Sequence, residues 1–274
     1  MIYIIKTQSK IIFSDVEKEK IKNLYVEHFF SVAKISKLFG CSEPVIDKVL
    51  KELGVEKRHS SQHYSFDSHI FDFIDTEEKA YWLGFLMADG CVTKKSELQG
   101  RLSLALSLKD INHLIKFKKF MKSPSTIREY LVDGKYPTCS ILINNINLVN
   151  DLIELGVVPN KTEIAKFPKF LPDFLVNHFI RGLMDGDGSI PLGNNKPSGV
   201  SILGTKDICK NICKKLKIEE KYLYKKDSKN LYEIRCNKDE EAIRILREIY
   251  KNSSVFLERK HSRFLDYNKR MLNK

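Results

Sequence analysis

The feature that most constrains this fold is an internal repeat. AYWLGFLMADGCV at 80–92 matches HFIRGLMDGDGSI at 178–190. Downstream, LSLKDINHLIKFKKF at 106–120 matches LGTKDICKNICKKL at 203–216, with Lys-Asp-Ile in both. LVNDLIELGVVPNKT at 148–162 then matches ILREIYKNSSVFLERKH at 245–261 in apolar pattern and in a late lysine. Two domain-sized copies, offset by 98 residues, make a pseudo-symmetric chain, and such a repeat is settled before single elements are assigned. Each copy reads helix, two strands, helix, strands, helix. Strand character is carried by RLSLALSL, YPTCSILI, SGVSIL and NLYEIRC. A partner with near two-fold symmetry of its own, such as duplex DNA, suits that arrangement.

The repeated helix carries the chemistry. Asp75 to Glu78 has capping-box spacing at the start of the first copy, and Pro172-Asp173 opens the second. The helices end at Asp89-Gly90 and Asp187-Gly188, where glycine is expected to supply a left-handed stop. Inside them, Gly84 and Ala88, and Gly182 and Gly186, sit four apart and share a face. An interior helical glycine costs about 0.5–1 kcal/mol relative to alanine, so close approach of two helix backbones is expected to offset it. Packing through these faces brings the C-terminal ends together, and with them Asp89 and Asp187. A carboxylate at a helix C-terminus opposes the macrodipole, and two close carboxylates repel. Divalent cations resolve both problems, and hard oxygen ligands suit Mg²⁺. One Asp-Gly alone reads as a turn; two in matched surroundings read as a paired-carboxylate metal site.

Charge distribution agrees with a polyanion as partner. Of the net +12, residues 1–75 contribute zero and residues 76–274 all of it. The phosphate-contacting surface is therefore expected in the larger C-terminal part. No stretch approaches the roughly 18 consecutive apolar residues of a membrane helix, and no signal-peptide pattern is read at the start, so the expectation is an intracellular protein of cytoplasm, nucleoid or organelle. The six cysteines show no Cys-x-x-Cys spacing and read as reduced, mostly buried thiols.

The segment before the repeat reads as a small all-α domain over 1–58. Val16, Ile21, Leu24 and Tyr25 form one apolar face; Val32, Ile35, Leu38 and Phe39 form a second, opened by Ser31 and closed by Gly40. Val45, Ile46, Val49, Leu50 and Leu53 form a third, with Ser42 as cap and Pro44 in the first turn. This is a helix-turn-helix pattern, which places Ser42, Glu43, Asp47, Lys48 and Lys51 toward DNA. A packing-only three-helix bundle is the alternative. Residues 59–74 read as a linker; His59, His63 and His69 lack metal-site spacing, so no metal is expected there.

WLGFLMADG at 82–90 and IRGLMDGDG at 180–188 resemble the two signature copies of the LAGLIDADG homing endonucleases, and the resemblance covers about 75–268. It implies an α+β fold of two pseudo-symmetric αββαββα repeats, 75–174 and 175–274, in a monomer whose sheets saddle duplex DNA. It also implies Mg²⁺-dependent double-strand cleavage, with Mn²⁺ as substitute, leaving short 3′ overhangs at a long site. Asp89 and Asp187 match the family's catalytic, metal-binding carboxylates, with Ala88 and Gly186 beside them at the metal. Lys161 and Lys260 match its basic residues near the active centre, and Asp110 and Asp207 fall where a water-organising polar residue often stands. Met87 departs from the motif's first acid, which Asp185 keeps. Arg101, Ser103, Tyr232 and Arg235 are candidates for base contact from the strands, where a one-residue shift of phase would invert the face. Intein signatures at the chain ends are not seen, which favours a free-standing or intron-borne enzyme. Two other readings share this scaffold: a DNA-binding regulator that has lost cleavage, and an RNA maturase acting on an intron.

Overall fold

The computed structural model describes residues 11–28, 30–58, 65–192, 198–226 and 230–273. The chain divides into two compact units, Met1–Ser65 and Phe66–Lys274.

In the first unit, α1 (Asp15–Val26), α2 (Val32–Leu38) and α3 (Glu43–Glu52) enclose a core of Phe13, Ile21, Tyr25, Ile35, Ile46, Val49 and Leu50. Ser14 and Glu17 form a full capping box on α1, and Ser31 accepts from the Lys34 amide to open α2. Gly40, at φ +62°, makes the turn between α2 and α3 in the left-handed region where a side chain is strained. The expected apolar faces hold at their centres and fail at their edges. Val16 and Leu38 are exposed, because three short helices surround too little interior to cover a full stripe on each. Ser42 occupies the N-cap position of α3 without bonding an amide. Ser42, Glu43, Lys48 and Lys51 are all exposed, Lys48 near Glu52, while Asp47 is held by Lys57 at 2.7 Å.

The second unit is built on the repeat. The first copy runs α4 (Glu77–Asp89), β1 (Gly90–Ser96), β2 (Gln99–Ser107), α5 (Ile111–Phe120), β3 (Arg128–Val132), β4 (Tyr136–Ile143) and α6 (Ile146–Glu154). The second runs α7 (Asp173–Asp187), β5 (Gly188–Ser189), β6 (Val200–Thr205), α8 (Lys206–Lys215), β7 (Leu223–Lys225), β8 (Leu231–Cys236) and α9 (Asp239–Tyr250), followed by α10 (Glu258–Leu272). Each copy forms a four-stranded antiparallel sheet of the same topology, β1-β2-β4-β3 and β5-β6-β8-β7. This is the expected α+β arrangement.

Strand alternation decides which face of each sheet is open. In β2, Leu102, Leu104 and Leu106 are buried against the helices, while Arg101, Ala105 and Ser107 point outward and Ser103 is half-buried beside them. In β8, Ile234 and Cys236 are buried and Arg235 is exposed. Tyr232 lies three residues from Arg235, so it falls on the opposite side and packs against the core. Of the four strand residues expected to read DNA, Tyr232 is therefore misplaced on phase, and Arg101, Ser103 and Arg235 share the open faces. The stretches quoted from sequence are β2, β4, β6 and β8; β1, the short β5 and β7 and the fully exposed edge strand β3 were counted only in the overall plan, because few of their side chains enter the core.

The lead-in differs from the linker expected over 59–74. Phe66, Phe71 and Ile74 are buried in the core of the second unit, so their share of the segment is folded. His59 and His63 lie outside the described residues.

Candidate active site

The centre of the second unit is the pair α4 and α7. Eight of the thirteen residues of α4 are buried, as are nine of the fifteen of α7, so these helices are interior on nearly every side. Their glycines set how closely they pass. A Cβ on Gly84 would strike the Phe179 carbonyl, and one on Gly182 would strike the Tyr81 carbonyl, in reciprocal fashion. At the C-terminal end, a Cβ on Gly186 would collide with that of Ala88 and stand 3.3 Å from Oδ2 of Asp89. Backbone meets backbone across the contact, which only residues without side chains permit.

The helix ends themselves differ from the expected stop. Gly90 and Gly188 have φ −70° and −97°, so neither is left-handed. Strands start directly from the helices there. A Cβ would lie 2.7 Å from the Leu86 carbonyl oxygen at Gly90, and 2.8 Å from that of Ser201 at Gly188. The glycines are needed for space rather than for a turn. At the other end of α4, Thr76 accepts from the Lys79 amide as N-cap, and Asp75 instead pairs with Lys79 at 3.0 Å, one residue away from the expected box.

Asp89 and Asp187 emerge side by side from this contact, both exposed to solvent. Burial and then the neighbouring Asp187 push the Asp89 carboxyl up to about 6, against the pull of Lys260 and Lys161. Asp187 is also raised by burial, opposed by Lys161 and Lys260. Because Asp89 holds its proton more tightly folded than unfolded, its contribution is present at low pH and is lost as pH rises from about 4 to about 6. In metal-free protein, the stability of Asp89→Asn relative to wild type is therefore expected to increase across that window, read from paired thermal melts at successive pH values. A constant difference would mean that neither burial nor Asp187 raises the Asp89 carboxyl.

The two lysines are placed differently. Lys260, in the first turn of α10, is buried and donates to the carbonyls of Met184, Asp185 and Gly186 at 2.8, 2.7 and 3.0 Å. It caps the C-terminal end of α7, where unsatisfied carbonyls and the macrodipole favour a cation. Burial lowers its ammonium to about 8. Lys161 follows Asn160, which is left-handed at φ 54°, on a single 3-10 turn, and donates to the Gly90 carbonyl. Burial lowers it too, with Cys91, Asp187 and Asp89 acting the other way. A cleft of about 190 Å³ opens between Lys161 and Asp187, bordered by Met87, Ala88, Leu203 and Gly204, with room for several waters.

Asp185 accounts for the difference. Its buried carboxylate accepts from Tyr250 at 2.8 Å, from Tyr81 of the other repeat at 2.9 Å and from the Leu257 amide at 2.8 Å. Leu257 is the N-cap of α10, so this acid sets the start of the helix that carries Lys260. Met87 stands at the matching place in the first repeat and can accept nothing comparable. Tyr81 also meets Nε2 of His113 at 2.9 Å, and burial holds that imidazole down to about 4. A second tie between repeats joins buried Arg181 to Glu77 at 2.6 Å, with Glu77 also accepting from the Ser254 amide at 2.6 Å. Tyr81, Tyr250, Glu77 and Arg181 were not singled out from sequence; Tyr81 and Arg181 stand out only as polar residues inside largely buried helices, and Glu77 and Tyr250, at the start of α4 and the end of the charged α9, lack even that signal.

Asp110 and Asp207, expected from the family to organise water, each engage protein groups. Asp110 is bound by Arg259 at 3.0 and 3.2 Å, and Asp207 accepts from the Phe167 amide at 2.8 Å. On the open faces, Arg101 donates to Asn144 at 3.0 Å, Ser103 to the Cys91 carbonyl at 3.4 Å, and Arg235 pairs with Glu233 at 2.6 Å. All six cysteines are free thiols; four are buried, Cys41 is half-buried and Cys91 is exposed on β1. Among the described residues, no helix is long and apolar enough to cross a membrane.

No protein-family model and no curated protein matches the chain. Solved structures do. The meganuclease I-SmaMI bound to uncleavable DNA superposes with a TM-score of 0.50 at 12% identity, over 71% of this chain and 90% of that one. A single-site lysine-to-alanine mutant of I-SmaMI gives 0.50 at 11% identity, over 73% and 92%. The LAGLIDADG meganuclease I-CpaMI, bound to uncleaved DNA, gives 0.49 at 10% identity, over 72% and 90%. Over about seven-tenths of its length, the chain has the fold of the monomeric LAGLIDADG homing endonucleases.

Proposed function

We propose that the second unit is a divalent-metal-dependent endonuclease that cuts both strands of duplex DNA, acting as a monomer. The observation that carries this reading is the meeting of Asp89 and Asp187 at the paired ends of α4 and α7, with a lysine from each repeat beside them. Two crowded carboxylates with raised affinity for protons form a hard-oxygen donor set, which fits Mg²⁺ or Mn²⁺. Asp89 and Asp187 would hold the metal, together with the terminal helix carbonyls of Ala88 and Gly186; the latter already receives Lys260 on one of its two lone pairs. Bound metal lowers the pKa of a water and offsets charge developing on phosphorus.

The chain's own groups do the rest. The two sheets offer Arg101, Ser103 and Arg235 from their open faces for base and phosphate contact, and the entire +12 charge belongs to residues 76–274. Lys161, beside that cleft, places a positive charge where a phosphate oxygen gains it. Lys260 has its three donors committed to α7, so it fixes the backbone that presents Asp187. Loss of Lys161 to alanine should slow cutting on the order of a hundredfold with little change in melting. Lys260→Ala should lower both, because it uncaps a buried helix end. Equal melting of the two variants would overturn that division of roles.

The three-helix unit is proposed to add duplex contacts through Ser42, Glu43, Lys48 and Lys51 on α3, as a helix-turn-helix does. The direct test incubates the purified chain with a randomised duplex library, Mg²⁺ or EDTA, and sequences the cut ends. Cleavage in Mg²⁺ alone, with short 3′ overhangs at one long sequence, is the expected result. Selection of bound duplexes without any cut ends would favour a regulator instead.

A further inference from the structure

Away from the paired aspartates, three metal-ligating groups converge on a different surface of the second unit. Nδ1 of His69 lies 3.1 Å from Oδ1 of Asp72 and 3.1 Å from Oδ2 of Asp151. All three ligand atoms fall within 4.8 Å of one another. His69 and Asp72 come from the folded lead-in, and Asp151 comes from α6, so the convergence joins segments about eighty residues apart in sequence. From sequence no metal was expected at His69, because the three histidines of that segment lack metal-site spacing; tertiary packing instead brings Asp151 to His69 and Asp72.

We propose that His69, Asp72 and Asp151 bind a first-row divalent ion of borderline softness, Zn²⁺ or Co²⁺ in character, which staples the lead-in to α6. The geometry supports this. Adjacent donors around an ion bound at about 2.0–2.2 Å stand roughly 3–3.5 Å apart, which is the separation found between Nδ1 and each carboxylate oxygen. The local charge supports it as well. Among the described residues, neither carboxylate has a lysine or arginine as ion-pair partner, so one imidazole serves two acids. The half-exposed His69 and Asp72 leave open positions that water completes. The imidazole nitrogen selects against Mg²⁺, which separates this site from the all-oxygen site at Asp89 and Asp187. On binding, a protonated His69 would release its Nδ1 proton to solvent, leaving a neutral imidazole that keeps the Nε2 proton and gives the Nδ1 lone pair to the ion.

This site stands apart from the cutting activity and is tested without it. Zinc chloride is titrated into the full chain carrying Cys91→Ser, in excess Mg²⁺, by calorimetry, with cobalt absorption and thermal melts alongside. One Zn²⁺ per chain and a rise in Tm are expected. His69→Gln and Asp151→Asn should each weaken binding at least about tenfold and cancel the rise. The Asp89→Asn, Asp187→Asn double variant should retain both. Each variant's own metal-free melt shows that it is folded, so a zinc response can be read in all of them. Absence of zinc binding, binding unchanged in His69→Gln and Asp151→Asn, or binding lost in the double variant would each overturn the proposal.

Discussion

Asp187→Asn is expected to reduce double-strand cutting on the order of a thousandfold while duplex binding stays within a few fold, and Asp89→Asn is expected to do the same. Asparagine preserves the shape of the side chain and removes the charge that a divalent ion needs. The positions lie at the contact of two helix ends, so each carboxylate is positioned by the opposite repeat as much as by its own. Because the two acids crowd one another, neutralising one also relieves repulsion, and the metal-free variants should melt no lower than wild type. Loss of cutting with retained or raised Tm is a signature that simple misfolding does not produce. Plasmid carrying the selected site, followed over time in Mg²⁺, gives the rate; gel shift in Ca²⁺ gives binding. Normal cutting by Asp187→Asn would falsify the assignment of this centre.

Gly182→Ala should lower stability by about 3 kcal/mol or more, measured from urea unfolding midpoints. Two effects compete, and they have opposite signs. Alanine in a helix interior is favoured over glycine by about 1 kcal/mol, so propensity alone predicts a gain. The added methyl, however, meets the carbonyl of Tyr81 and lies 2.7 Å from the amide nitrogen of Phe85. Neither is a flexible side-chain tip, so relief requires the whole helix pair to move apart. Overpacking of a rigid core costs about 1–3 kcal/mol even where side chains can yield, and here backbone must yield. Gly84→Ala should behave alike through Phe179. A stabilised Gly182→Ala protein would mean that α4 and α7 do not pack at this distance, and the pairing of Asp89 with Asp187 would fall with it.

Much of this architecture was legible because a repeat doubles every signal. A single Asp-Gly after an apolar helix is a turn more often than a site; two, each preceded by small residues four apart, specify a contact and what it brings together. The long central strands were readable for a related reason, since β2 and β4 bury one face and their alternation is visible. Edge strand β3, exposed along its whole length, leaves no such trace. The phase error at Tyr232 arose in the same way: β8 is short, and a shift of one residue exchanges its faces. At the helix ends the glycines were correctly singled out but for a reason that backbone geometry corrects. Steric room beside Leu86 and Ser201 matters there, and both contacts depend on how the strand leaves the helix.

What the sequence determined by itself is the duplicated α+β plan, the small-residue seam between two helices and the two aspartates at its end. These follow from local periodicity and from the absence of side chains, which act over a few residues. What only the tertiary structure decided is the division of labour around that seam. Asp185 reaches Tyr81 and Leu257, Lys260 is spent on capping α7 while Lys161 faces the cleft, and His69 meets Asp151. Each of these joins residues distant in the chain, and a hydrogen bond or ion pair between them depends on ångström-scale placement that no pattern of neighbours encodes.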